Sequence, residues 1–261
     1  MIKKLNLVFK IFFFLFFLVI LFSSLINLYE KKDALKFKVF SLFDISYRSD
    51  ANFYYVSEED KYWAKEIMNG GYILHFRHAE RDKWIDVQMY DALESDLHNN
   101  GDNNSRYAEN DYFDQAVCLN KRGKIQARAM GEHLNNIKFP IGYVASSPSC
   151  RARQTAELAF NGYDSLHRIL VHSGPYNETK KNRSEKLINF YKNLKIEDKK
   201  NTIISAHNSV IICEIVVNKK CPWDFDLEEG GFYVFSQTDK GLRLEHEFHN
   251  YNDFNKIFYE R

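Results

Sequence analysis

Arg77-His78, Arg151 and His207 are the residues whose types and settings suit phosphoryl chemistry. Each falls where a predicted strand gives way to a loop or helix, the place where parallel α/β sheets bind ligands. The segments read Gly70-Gly71-Tyr72-Ile73-Leu74-His75-Phe76-Arg77-His78-Ala79-Glu80, Ser146-Ser147-Pro148-Ser149-Cys150-Arg151-Ala152-Arg153, and Thr202-Ile203-Ile204-Ser205-Ala206-His207. A guanidinium is a planar, permanently charged fork that matches phosphate oxygens in pairs, so Arg77 and Arg151 can neutralise a dianion and its transition state. A neutral His78 nitrogen can attack phosphorus in line, giving a phosphohistidine that water then hydrolyses. His207 would donate to the phosphoryl oxygens, its protonation favoured by the bound anion. No metal or other cofactor is required. Arg153 and Glu80 are further candidates for substrate contact, although such charges more often serve solvated or salt-bridged roles.

These residues need a scaffold that gathers strand ends. Short β-like runs occur at 72–76, 141–145, 168–171, 202–205, 232–235 and 242–247. Helical patterns lie between them. Asn120 can cap a helix with apolar positions Ile125, Ala129 and Leu134, and Ser147 or Ser149 can cap another that runs through Phe160. Residues 180–194 and 209–217 supply two more, and a short helix is expected around 58–68. Strands alternating with helices predict a three-layer α/β sandwich, with a mainly parallel central sheet covered on both faces. The stretch 86–114, rich in Asp, Asn, Glu and Tyr, reads as a long insertion beside the first strand. His75, three residues before His78 on a strand, points to the opposite face and reads as a core or lining residue. The remaining histidines read as surface or packing residues.

Together the blocks resemble the histidine phosphatase superfamily, branch 1, with its phosphoglycerate mutase-like fold. Arg77-His78-Ala79 after a strand is similar to that family's first signature. Ser146-Ser147-Pro148 through Arg151-Ala152, with Gln154-Thr155-Ala156, is similar to the second, and Ala206-His207 to the third. The resemblance covers roughly residues 70–215, and the segment 119–127 also looks like the family's opening of the helix before the second block. It implies that His78 is the nucleophile and that Arg77, Arg151 and His207 form the phosphate pocket. By position, Glu178 is the nearest carboxylate for the proton donor, with Glu80 and Asp82 as rivals. The implied activity is phosphomonoester hydrolysis, on a phosphorylated small molecule, an envelope sugar or a phosphoprotein. The alternatives are a phosphotransferase of the mutase type and a non-catalytic anion-binding envelope module with the same fold.

From Ile11 to Tyr29 there are 19 consecutive residues without formal charge, preceded by Lys3, Lys4 and Lys10. As a helix this run spans about 28 Å at ~1.5 Å per residue, which matches a bilayer's hydrocarbon core. The flanking lysines predict a transmembrane signal anchor with the N-terminus in the cytoplasm and the catalytic domain in the periplasm or outside the cell. The chain would be secreted if the segment is instead a cleaved signal peptide. The expected organisation is a signal region 1–32, a linker 33–60 and a catalytic domain 61–261. Residues 1–32 carry a net +4, which leaves the remainder at −3 and argues against a nucleic-acid partner. Four cysteines, Cys118, Cys150, Cys213 and Cys221, allow three pairings or four buried thiols, and no Cys-x-x-Cys suggests zinc.

Overall fold

The computed structural model describes residues 32–44, 47–48, 54–82, 117–171, 179–222 and 226–259. The Ile11–Tyr29 run and the whole 86–114 insertion region therefore lie outside the described residues, as does Glu178. Among the described residues no helix is long and apolar enough to cross a membrane. The chain divides into two compact units, Met1–Glu58 and Glu59–Arg261.

In the first unit, helix α1 (Lys32–Leu42) occupies a stretch expected to be linker. Its sequence contains no Gly or Pro, so nothing in it breaks a helix. It exposes Leu35, Val39 and Leu42, one above the other at i, i+4 and i+7. A two-stranded ribbon follows, β1 (Tyr47–Arg48) antiparallel to β2 (Tyr54–Tyr55). Asp44 accepts hydrogen bonds from the Tyr55 hydroxyl at 2.7 Å and from the Glu58 backbone at 3.1 Å.

The second unit contains helix α2 (Glu58–Glu66), strand β3 (Ile73–Arg77), helix α3 (Lys121–Asn136) and strand β4 (Ile141–Ser146). Helix α4 (Cys150–Ala159), strand β5 (Ser165–Leu166), helix α5 (Lys180–Lys192) and strand β6 (Asn201–Ala206) follow. The unit closes with hairpin β7 (Phe232–Thr238) and β8 (Gly241–Phe248), then helix α6 (Tyr251–Tyr259). Six strands form one sheet in the order β5-β4-β6-β3-β7-β8. The first four are parallel, and the β7–β8 hairpin adds antiparallel to β3.

Strand alternation divides the core into two layers. Leu74, Phe76, Ile203, Phe232 and Val234 face Met130, Leu134, Ala156 and Phe254, residues of α3, α4 and α6. Ile73, Ile204, Tyr233 and Phe235 face Leu187 and Tyr191 of α5, together with the 210–216 segment. This is the expected sandwich, with helices on both faces of a mainly parallel sheet.

Helix α3 is capped as expected, with the Asn120 side chain accepting from Gly123 N at 2.8 Å. Its buried face differs from the expected stripe. Ile125 is 66% exposed, while Gly123, Ala127, Met130, Gly131 and Leu134 are buried. The glycines explain the rotation, because they admit backbone where a side chain would collide. A Cβ on Gly123 would stand 1.9 Å from the Glu80 carbonyl oxygen, and one on Gly131 2.6 Å from that of Leu158. Gly123→Ala is expected to push the loop after His78 off α3 at a cost of about 1–3 kcal/mol. Urea unfolding checks this, and an unchanged midpoint would contradict it.

Two expected elements take other forms. Residues 168–170 are a 3₁₀ turn rather than a strand, and the strand of that region is β5, Ser165–Leu166, which ends before the expected one begins. The expected helix 209–217 is instead two 3₁₀ turns, Asn208–Val210 and Cys213–Ile215. Its run of Ile and Val favours extended backbone, and Val217 N bonds to Leu242 O at 2.8 Å on the sheet. All four cysteines are paired, Cys118 with Cys150 and Cys213 with Cys221, so the free-thiol reading is corrected.

Candidate active site

The parallel pairing of β3 with β6 sets Arg77 beside Ala206, so His78 and His207 leave adjacent strand ends together. The ladder continues one step further, with His78 N donating to Ala206 O at 3.0 Å. The two imidazole centroids are 5.2 Å apart, and both residues are buried.

The His78 ring has a defined tautomer. Its Nδ1 lies 2.7 Å from the Ala79 carbonyl oxygen, which can only accept, so Nδ1 carries the proton. Burial, reinforced by the nearby Arg151 charge, holds the His78 pKa well below its ordinary value. The ring is therefore neutral at physiological pH, and Nε2 keeps its lone pair.

His207 is fixed by its neighbours. Arg151 Nη2 donates to His207 Nδ1 at 3.3 Å, so the ring is neutral here with its proton on Nε2. Nε2 lies 3.2 Å from both Ser147 Oγ and Ser149 Oγ. Ser149 is the N-cap residue of α4, yet its side chain makes no capping bond. Ser205 Oγ donates to Ala152 O at 2.8 Å, tying the start of α4 to the end of β6.

Behind the site, Tyr191 donates to His75 Nδ1 at 3.1 Å, and His75 Nε2 donates to the His207 carbonyl at 3.1 Å. Burial lowers the His75 pKa to about 4. An unfolded His75 takes up its proton near pH 6.5, so stability is fully present above that pH and is lost as pH falls towards 4. Over that window His75 removes about 3 kcal/mol at ~1.4 kcal/mol per pH unit. Urea unfolding across pH 7 to 4 should show this slope reduced in His75→Gln, and an equal slope in both proteins would contradict it.

Arg77 is placed differently from the other three. Its guanidinium donates to the Leu227 carbonyl and pairs with Glu229 at 3.5 Å. It forms part of the wall of a cavity of about 530 Å³ that also includes Glu80, Asp226, Glu228, Glu229 and His249. His78, Arg151 and His207 thus form one contact group, with Arg77 on the wall beside it. Arg153 is buried and donates from Nε to the Pro148 carbonyl at 2.9 Å. Glu80 and Asp82 both accept from the Asn120 amide, at 3.0 and 3.1 Å, and Glu80 also accepts from Arg122 Nε at 2.8 Å.

Several positioning residues escape the sequence reading. Gln126 accepts from Glu80 N at 3.0 Å and donates to Glu229 O at 2.7 Å, joining the loop after His78 to the loop before β7. Gly230 N reaches the carbonyls of both Arg77 and His78, at 3.1 and 3.2 Å. Gln126 lies in the 119–127 segment that the resemblance singles out, whereas no local pattern marks the 226–231 loop. Among the described residues no cluster of His, Cys, Asp and Glu suits a metal ion.

The four groups suit a tetrahedral oxyanion held by cationic and imidazole donors, with a neutral imidazole nitrogen to attack it. Of solved structures, the chain is similar to the protein histidine phosphatase SixA complexed with tungstate, at 16% identity over 68% of this chain and 96% of that one, TM-score 0.42. TTHB049 from Thermus thermophilus shares 16% identity over 68% and 98%, TM-score 0.41. An open reading frame product of Mycobacterium tuberculosis shares 13% over 68% and 96%, TM-score 0.41. No curated protein matches. The family resemblance read from the sequence is found independently over the span that holds Arg77, His78 and Arg151: residues 74–174 match the histidine phosphatase superfamily (branch 1).

Proposed function

We propose that this chain is a phosphatase that hydrolyses a phosphomonoester through a phosphohistidine on His78, without a metal ion. The observation that supports this most is the His78 ring, buried and neutral, with Nδ1–H fixed on the Ala79 carbonyl beside the Arg151–His207 pair. The Nε2 lone pair attacks phosphorus, forming the P–N bond as the P–O bond to the leaving group breaks. Water then attacks phosphorus, the P–N bond breaks, and phosphate departs. Arg151 and Arg77 balance the charge on the phosphoryl oxygens, and His207 donates to them from Nε2 once the anion displaces the serine hydroxyls.

Glu80 is the described candidate acid on the cavity wall, but its carboxylate already accepts from Asn120 and Arg122. That arrangement favours substrates whose leaving group departs as a weakly basic anion. The full chain should therefore hydrolyse p-nitrophenyl phosphate in the presence of EDTA. Brief incubation with labelled substrate should leave an acid-labile, base-stable phosphoenzyme. Activity abolished by EDTA and restored by a metal would overturn the reading.

The same proposal places the enzyme outside the cytoplasm, anchored by the 11–29 segment. The uncharged run, its flanking lysines, the apolar ridge on α1 and the two disulfides support this. A reporter fused after Arg261 should be active only outside the cytoplasm, and a cytosolic signal would contradict it.

A further inference from the structure

We propose that the Cys118–Cys150 disulfide positions the phosphate pocket, by clamping the 117–120 strip to the first turn of α4 and so setting the aim of Arg151. This inference rests on the phosphatase reading.

Cys150 is the first residue of α4 and Arg151 the second. The Arg151 guanidinium has two described tethers, Nη2 on His207 Nδ1 at 3.3 Å and Nη1 on the Val117 carbonyl at 3.4 Å. Val117 immediately precedes Cys118, so the bridge joins the residue before Arg151 to the residue after its backbone acceptor. The two Cα atoms are 4.8 Å apart, and both cysteines are buried.

The start of α4 has a particular need for this fastening. A helix start is ordinarily held by its N-cap side chain, which satisfies a free backbone N–H. Here the cap residue Ser149 turns its hydroxyl towards His207 Nε2 instead, and makes no capping bond. The disulfide, one residue on, supplies a covalent anchor where the capping bond is missing.

The strip also reaches the nucleophile loop. Leu119 N donates to Gln154 Oε1 of α4 at 2.9 Å, and Asn120 N donates to the Glu80 carbonyl at 3.2 Å. Opening the bridge would remove the covalent tie between the strip and α4 and leave hydrogen bonds, among them Leu119 N to Gln154 Oε1 and Ala79 N to Thr155 Oγ1 at 3.0 Å, to keep the strip, α4 and the His78 loop in register. A shift of the guanidinium by a fraction of an ångström would weaken its paired contact with phosphate oxygens.

The second bridge is an internal control. Cys213–Cys221 spans 8 residues of sequence, and its cysteines form none of the described hydrogen bonds to His78, Arg77, Arg151 or His207. The experiment compares the full chain with Cys118→Ala/Cys150→Ala and with Cys213→Ala/Cys221→Ala. The readouts are inorganic phosphate binding by calorimetry, kcat and KM on p-nitrophenyl phosphate, and thermal unfolding. The 118/150 variant should bind phosphate at least about tenfold more weakly, or about 1.4 kcal/mol, with KM rising in parallel. The 213/221 variant should lose thermal stability while its phosphate affinity stays within about twofold.

A folded 118/150 variant with wild-type phosphate affinity would overturn the inference, as would equal weakening in both variants. Should the alanine pair fail to fold, Cys118→Val/Cys150→Ala refills the bridge's volume with apolar carbon and is read in the same way. Failure of that variant too would count against the inference, since the bridge would then serve the whole fold. If the wild type neither binds phosphate nor turns over, the phosphatase reading itself fails. If it does both and the bridge variant matches it, only the positioning role is lost.

Discussion

Replacing His78 with alanine is expected to reduce turnover of p-nitrophenyl phosphate by about 10⁴-fold or more, the scale seen when a covalent nucleophile is removed. The phosphoenzyme should disappear from the same protein. His78 is buried between strand ends and its ring accounts for one hydrogen bond, to Ala79 O. The variant should therefore fold, and far-UV circular dichroism with thermal unfolding can establish this before rates are compared. A rate within tenfold of wild type would remove His78 from the mechanism. The wild-type pH profile gives a second check. Because burial and Arg151 hold the His78 pKa well below its ordinary value, the nucleophile stays unprotonated into acid. The acid limb of kcat/KM should therefore lie well below pH 6.5.

Arg151→Ala is expected to lower kcat/KM by about 10²–10³-fold, comparable to deleting one preorganised donor to a developing oxyanion. Arg151→Lys should recover only part of this, because an ammonium retains the charge but not the planar fork. The loss should appear as a lower kcat, accompanied by weaker phosphate inhibition and a higher KM because the same fork also binds the ground-state dianion. Removing the guanidinium also takes the donor from His207 Nδ1. Full activity in Arg151→Lys would show that charge alone suffices.

The contact group was legible in the sequence because its geometry follows from rules that act over short distances. A strand end followed by Arg77-His78, and another followed by His207, must present their side chains at one edge if the strands are parallel neighbours, and they are. Asn120 was readable as a helix cap because its amide acts within one turn. The buried face of α3 was not readable from apolar spacing, since its closest approaches are made by Gly123 and Gly131, which carry no hydrophobic signal. Helix α6 was also missed. Its Tyr251, Phe254 and Phe258 recur at helical spacing, and Asn250 Oδ1 accepts from Asn252 N at 2.9 Å, so local signals for it existed. The turns at 208–215 depend on tertiary pairing with β8, which no local pattern carries. The pairing of the cysteines was likewise a question of three-dimensional proximity.

The wall beside Arg77 comes from the opposite end of the chain to the nucleophile. Asp226, Glu228, Glu229 and His249 flank the hairpin β7–β8 and lie beyond residue 174, where the family match stops. The cavity is thus shared between the two parts of the chain, Arg77, Glu80 and Gln126 from inside the matched span and the 226–229 loop with His249 from beyond it. Under the phosphatase reading, exchanging Asp226, Glu228 or His249, none of which bonds to His78, Arg151 or His207 among the described contacts, is expected to change which leaving groups are accepted more than it changes the chemical step.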